Sequence, residues 1–152
     1  PLPRNATRLN NVLRCGRAMK GLGVSDLDTV MPGLSAHDFG DTVRFGANDC
    51  REDEEDQSRV HFLPQLYRVC ERGFLSQAGG VLTAREKEVL RWGAKLMTLE
   101  CGMRFLTDYL QGDVYFKIAR PDQNLDRART QFTLVQQMEA CWDELAPEES
   151  KL

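Results

Sequence analysis

The sequence predicts one mainly α-helical domain with a small β-hairpin near its amino terminus. Apolar residues recur at helical spacing across residues 60–75. Thr83 and Glu86 have the capping-box spacing that starts a helix, and a long, largely apolar stretch follows them. A glycine-containing stretch separates two short β-type segments within residues 10–28. With 152 residues, 41% of them hydrophobic, the chain is long enough for a single domain, 1–152, with its own core.

The hairpin is the first element. Residues 11–15 and 24–28 form its two arms, and residues 16–23 form the turn. The Pro32-Gly33 pair is a turn signal that ends it. From there to Gly46 the sequence predicts a loop with short helical pieces, in which His37 is a structural residue rather than a base.

The next helix is predicted from apolar periodicity. A charge run at residues 52–56 indicates a solvated loop or helix start. Behind it, residues 60–75 predict a helix that ends before Gly79. The apolar residues at helical spacing are Leu63, Leu66, Val69, Cys70 and Phe74.

A long central helix is predicted over residues 84–110, closed by Gly112. From Leu96 onward apolar residues occur nearly all round the helix, which is typical of a buried helix. Residues 114–118 predict a short extended or turn segment. Asn124 can cap a final helix over residues 124–145. The residues expected to face inward from it are Leu125, Phe132, Val135, Met138 and Trp142.

Composition excludes several classes of partner. The net charge of −3 and the lack of a basic stripe argue against nucleic-acid binding. No apolar run approaches the roughly 20 residues that cross a bilayer, so we expect no membrane insertion. The first residues do not resemble a signal peptide, and the five cysteines lack Cys-x-x-Cys spacing, so reduced thiols and a cytoplasmic location are expected.

The hairpin carries a candidate metal site. Asn11 and Asp26 lie on its two arms, and an amide oxygen with a carboxylate suits a hard cation such as Mg²⁺. Asp28 adds a second carboxylate on the same hairpin face. The alternative is that these residues merely flank a turn, because the pattern is short.

A second candidate site lies on the central helix. Glu100, Arg104 and Asp108 are spaced four residues apart, which predicts either an ion-pair ladder or an arginine that points into a cleft. Tyr115 follows shortly afterwards, and it is expected to pack with its hydroxyl at the rim.

Long stretches of the chain resemble the N-acetylhexosamine 1-kinases, which belong to the aminoglycoside phosphotransferase and protein-kinase-like superfamily. The resemblance covers nearly the whole chain and corresponds to the helical carboxy-terminal lobe of that fold. The stretches that carry it are residues 5–13, 26–33, 38–41, 44–48, 97–113 and 124–131.

The resemblance implies an enzyme that transfers the γ-phosphate of ATP to the anomeric hydroxyl of N-acetylglucosamine or N-acetylgalactosamine. It implies that Asn11 and Asp26 hold the Mg²⁺ that accompanies ATP. It also implies that Arg104 and Tyr115 line the sugar pocket, with Glu100 and Asp108 orienting the arginine. Asp38 corresponds to the structural aspartate that follows the metal loop.

The chain departs from the family at the catalytic loop. Ala6 occupies the position of the catalytic aspartate, Arg4 replaces the usual histidine, and Arg8 stands where a lysine follows. Losing a positioned acid/base group costs about 10²–10⁴ in rate. The resemblance also places the ATP-binding amino-terminal lobe outside this chain, and positioning is most of phosphoryl-transfer catalysis. We therefore expect no kinase activity from the chain alone. The alternative is a non-catalytic binding module that self-associates through the exposed lobe interface.

Overall fold

The computed structural model describes residues 3–4, 12–15, 20–25 and 31–147. The predicted mainly helical fold with a small hairpin is confirmed. Strands β2 (Val12–Cys15) and β3 (Lys20–Val24) pair antiparallel, with a register irregularity between Leu13 and Arg14. The return arm therefore begins at Lys20, inside the predicted turn of residues 16–23, and not at residue 24, because Cys15 already pairs with Lys20. Strands β1 (Pro3–Arg4) and β4 (Met31–Pro32) form a second, two-residue antiparallel pair.

The stretch predicted to be a loop after Gly33 is instead a regular helix, α1 (Ser35–Gly46). Its buried residues include Ser35, Phe39 and Val43, which follow helical spacing. Gly40, within this helix, serves close packing: a Cβ added there would overlap the carbonyl oxygen of Gly93. Tertiary packing therefore overrides the turn-like composition.

The charge run is an irregular segment that leads to a short 3₁₀ helix (Gln57–Arg59), in line with a solvated loop. Helix α2 (Pro64–Ala78) begins later than the predicted residue 60, with proline in its first turn, where its missing N–H is not needed. Val69, one of the apolar residues at helical spacing, is exposed, and Tyr67 and Glu71 are the buried residues of this helix.

The predicted central helix is two helices, α3 (Ala84–Glu88) and α4 (Leu90–Leu110). The capping box at Thr83 and Glu86 is present, with both of its reciprocal hydrogen bonds. Val89 separates the two helices because its φ of −88° and ψ of 0° leave the helical region.

Helix α4 is not buried all round, contrary to the prediction. Its buried face consists largely of small residues, among them Gly93, Ala94 and Gly102, which allow α1 and α5 to approach closely. Leu96 and Met103, expected in the core, are each about half exposed at 52%, and Leu110 is exposed at 75%. Apolar composition alone therefore overestimated how much of this helix is covered.

Helix α5 (Gln123–Ala140) ends five residues earlier than predicted, and turns follow it to residue 145. Its N-cap is Asp122, which has a left-handed φ of 58°, rather than Asn124. Asn124 is fully buried inside the helix and uses its side chain for contacts with the end of α4.

The core lies between α1, α2, α4 and α5 and includes the buried turn residue Leu145. Phe39 and Tyr67 meet edge-on with ring centroids 5.5 Å apart, and the Tyr67 hydroxyl donates to the Leu145 carbonyl. The other buried core residues are Val43, Ala47, Val60, Phe62, Leu90, Ala94, Leu134 and Met138. Among the helices in the described part of the chain, none has both the length and the apolar character to cross a bilayer.

Candidate functional site

One face of the second half of α4 borders an open cleft of about 470 Å³. The residues that line it from the helix recur at intervals of three or four, so they share a face. The opposite wall comes from the loop after α4. The lining residues are Glu100, Met103, Arg104, Thr107, Asp108, Gln111, Tyr115 and Phe116.

Arg104 lies between a carboxylate and two aromatic rings. Its Nε is 3.7 Å from Glu100 Oε1, which is a long ion pair between two partly exposed side chains. Its guanidinium carbon lies 5.8 Å from the centroid of the Tyr115 ring and 5.4 Å from that of Phe116, within the range of a cation–π contact. The guanidinium thus keeps much of its donor capacity available beside two aromatic faces.

The two aromatic residues of the cleft differ in exposure. The Tyr115 and Phe116 rings are perpendicular, with centroids 4.8 Å apart, and Phe116 also packs 4.7 Å from Phe105 on α4. Phe116 is therefore anchored to the body of the domain, whereas Tyr115 is 72% exposed. An exposed tyrosine beside an arginine presents an apolar ring and a polar hydroxyl to any molecule in the cleft.

Asp108 forms the floor of the cleft. Its carboxylate accepts hydrogen bonds from the backbone N–H groups of Val114, Tyr115 and Phe116 and from the side-chain amide of Asn124. Burial opposes ionisation of Asp108, but these donors outweigh it and hold its pKa below the ordinary value. The carboxylate is therefore ionised and fully engaged at neutral pH.

The structure brings together the two residues predicted for substrate binding, Arg104 and Tyr115, on facing sides of one cleft. The predicted ladder is only half correct. Glu100 pairs with Arg104, but Asp108, further along α4, accepts hydrogen bonds from the loop that follows the helix and does not form the expected second rung. Asp108 is buried because it caps backbone N–H groups, which the four-residue spacing did not indicate.

The predicted metal ligands, Asn11 and Asp26, lie outside the described residues, as does Ala6. Asp38, for which a structural role is predicted, is buried in the first turn of α1. The positive end of the helix dipole stabilises a carboxylate there. Within residues 31–147 and the shorter described segments, no group of three or more His, Cys, Asp or Glu side chains is arranged to hold a metal ion.

Sequence reasoning missed Phe116, Thr107, Gln111 and Met103 as cleft residues. Helical spacing was a usable signal for Met103, counted from Glu100, and for Thr107 and Gln111, counted from Arg104, because positions three, four and seven residues apart share one face. Phe116 carried no such signal, since its position depends on the course of the loop. The sequence indicated a capping role for Asn124, and its contact with Asp108 could not be inferred from spacing.

No model of a known protein family matches this chain.

Proposed function

We propose that this chain supplies the sugar-binding part of an ATP-dependent N-acetylhexosamine 1-kinase, and that the sugar binds in the cleft between Arg104 and Tyr115. The observation that carries the proposal is the pairing of an arginine with two aromatic rings at one open cleft. The volume of about 470 Å³ is in the range of small-molecule sites, about 300–1,000 Å³.

The lining chemistry suits an amino sugar. A pyranose has a face of C–H groups that packs on an aromatic ring, and Tyr115 is exposed enough to offer one. The hydroxyl groups of the sugar need hydrogen-bond donors and acceptors. The Arg104 guanidinium and the Glu100 carboxylate provide them at the rim of the cleft. The side-chain amide of Gln111 has both a donor and an acceptor, the complement of an N-acetyl group.

The phosphoryl-transfer part of the proposal rests on the sequence resemblance. Asn11 and Asp26 would hold Mg²⁺, which neutralises charge on the phosphates of ATP during transfer. Ala6 cannot accept a proton, so this chain's own contribution to the reaction is to bind and orient the sugar.

Titration of the ¹⁵N-labelled chain with N-acetylglucosamine, followed by amide chemical shifts, tests the proposal. We expect saturable shifts concentrated at residues 100–116, and weaker shifts with glucose, which lacks the acetamido group. Shifts that are absent, or that are equal for both sugars and scattered over the chain, would overturn the proposal.

A second candidate function is self-association. It is favoured by a row of exposed apolar residues along α4: Trp92, Leu96, Met103 and Leu110. Multi-angle light scattering across a concentration series distinguishes the two candidates, because a monomer at all concentrations would exclude assembly through this face. Because Met103 also lines the cleft, association here would compete with sugar binding.

A further inference from the structure

The loop after α4 reverses direction with unusual backbone angles. Gly112 has a φ of 92° and Asp113 a φ of 58°, both in the left-handed region. Immediately after this reversal, three consecutive backbone N–H groups point toward α4. Asp108 Oδ1 accepts from Val114 at 3.0 Å and from Tyr115 at 2.8 Å, and its Oδ2 accepts from Phe116 at 2.9 Å.

Helix α5 completes this arrangement. The Asn124 side-chain amide donates to Asp108 Oδ2 at 2.9 Å and to Asp113 Oδ1 at 2.8 Å. Arg127 in turn donates to the Asn124 side-chain oxygen at 2.8 Å. Asp108 is 3% exposed and Asn124 is fully buried. Two helices and the loop therefore meet at a single carboxylate.

Asp108 is poorly suited to react with a ligand. A carboxylate accepts about four hydrogen bonds, and Asp108 already accepts four. Its oxygens are turned toward the loop backbone, and an acid/base group needs a free oxygen within reach of the substrate. Asp108 instead fixes the positions of the groups that donate to it, and one of these groups is the backbone N–H of Tyr115.

We propose that Asp108 is a positioning residue for the cleft, and that it holds residues 114–116 so that the Tyr115 and Phe116 rings stand beside Arg104. As far as it concerns the sugar, this inference rests on the proposed function. The benefit is preorganisation. A loop that is already fixed does not lose conformational entropy when the ligand binds, so the binding free energy is not reduced by the cost of ordering it.

The test compares Asp108→Asn with the matched control Asp113→Asn in the same loop. Asn at position 108 is nearly isosteric, but its NH₂ group would face the donors of Phe116 and Asn124. Asp113 accepts from Asn124 and binds none of the three backbone amides, and Asn tolerates its positive φ. Circular dichroism verifies that both variants are folded.

Two readouts are measured for each variant. The first is the Arg104 Nε–H resonance, whose chemical shift reports the ring currents of Tyr115 and Phe116 without any ligand. The second is the dissociation constant for N-acetylglucosamine. We expect Asp108→Asn to shift the Arg104 resonance and weaken binding about tenfold, equivalent to about 1.4 kcal/mol. The dissociation constant of Asp113→Asn should remain within about twofold of that of the original chain.

The outcomes separate this inference from the proposed function. If the original chain binds no sugar, the proposed function fails, and the Arg104 resonance alone decides whether Asp108 positions the rings. If Asp108→Asn is folded and leaves that resonance unchanged, the inference is wrong, whatever the affinity. If Asp108→Asn does not fold, hydrogen exchange in the original chain tests the inference instead. The inference is wrong if the backbone amides of Val114, Tyr115 and Phe116 exchange as fast as those of an unfolded peptide.

Discussion

Gly93 on α4 lies directly against Ala36 on α1, so close that a Cβ added to Gly93 would overlap the Ala36 carbonyl oxygen. A Cβ added to Gly40 on α1 would likewise overlap the carbonyl oxygen of Gly93. These small residues set the distance between α1 and α4, and α4 carries the cleft. The position of the site therefore depends on a packing contact at the other end of the helix.

Gly93→Ala should destabilise the domain by about 1–3 kcal/mol, because the added methyl group forces the two helix backbones apart. Gly73→Ala on α2 is the matched control, since its Cβ would have no neighbour within 4 Å. Replacing an exposed helical glycine by alanine stabilises by about 0.5–1 kcal/mol. Urea denaturation of both variants measures the difference, and a Gly93→Ala variant as stable as the original chain would contradict this packing.

Arg44→Met tests the buried ion pairs of α1. The Arg44 side chain is 3% exposed and donates to Asp41 Oδ1 and Glu52 Oε1, both at 2.9 Å. Removing the cation takes away the charge that these two partly buried carboxylates share, so we expect a loss of about 3 kcal/mol. The control is Arg85→Met, which removes an exposed pair with Glu88 and should cost less than about 1 kcal/mol. Equal effects in the two variants would show that burial of Arg44 contributes nothing.

The thiols of Cys50 and Cys101 should react slowly. Burial, aided by nearby carboxylates, raises the pKa of Cys50 to about 11, and burial likewise raises that of Cys101 to about 11. Only the thiolate attacks alkylating reagents, so at pH 7.5 both residues should be modified far more slowly in the folded chain than in urea. Mass spectrometry after timed iodoacetamide treatment measures each site. Equal rates at Cys50 and Cys101 with and without urea would contradict the prediction.

Asp108 should make stability depend on pH in the acid range. Its pKa in the folded chain is below the ordinary value of 3.8, so its ionised form stabilises the fold above that value. This stabilisation is lost as the pH falls from about 4 through the lowered pKa of the folded state. Thermal midpoints between pH 5 and pH 2 should therefore fall more steeply for the original chain than for Asp108→Asn. Parallel curves would show that the carboxylate is not stabilised by its hydrogen bonds.

The elements that the sequence predicted well are those specified locally. The Thr83–Glu86 capping box needs only neighbouring residues, and it forms as expected. Helix α1 was missed because Gly40 acts through a close contact with Gly93 on α4, which no local pattern reveals. The exposed face of α4 was misjudged for a related reason: Gly93 and Gly102 lie at close approaches to α1 and α5, whereas the large side chains of Leu96, Met103 and Leu110 are exposed.

The candidate site was predictable in part. Helical spacing placed Glu100 and Arg104 together, and the family resemblance, not the spacing, associated Arg104 with Tyr115. The role of Asp108 was not predictable, because its partners are backbone N–H groups, which every residue except proline has. Only the path of the chain after Gly112 determines which of them reach the carboxylate.

Calorimetric titration of N-acetylglucosamine into Arg104→Ala, Arg85→Ala and the original chain tests the central claim most directly. Arg85 is a surface arginine on α3 with an exposed carboxylate partner, so it controls for the loss of a charge. A hydrogen bond from a charged donor contributes about 1.5–3 kcal/mol, so Arg104→Ala should weaken binding at least tenfold while Arg85→Ala leaves it unchanged. No binding to the original chain, or the same affinity with and without the Arg104 side chain, would contradict a hexosamine site in this cleft.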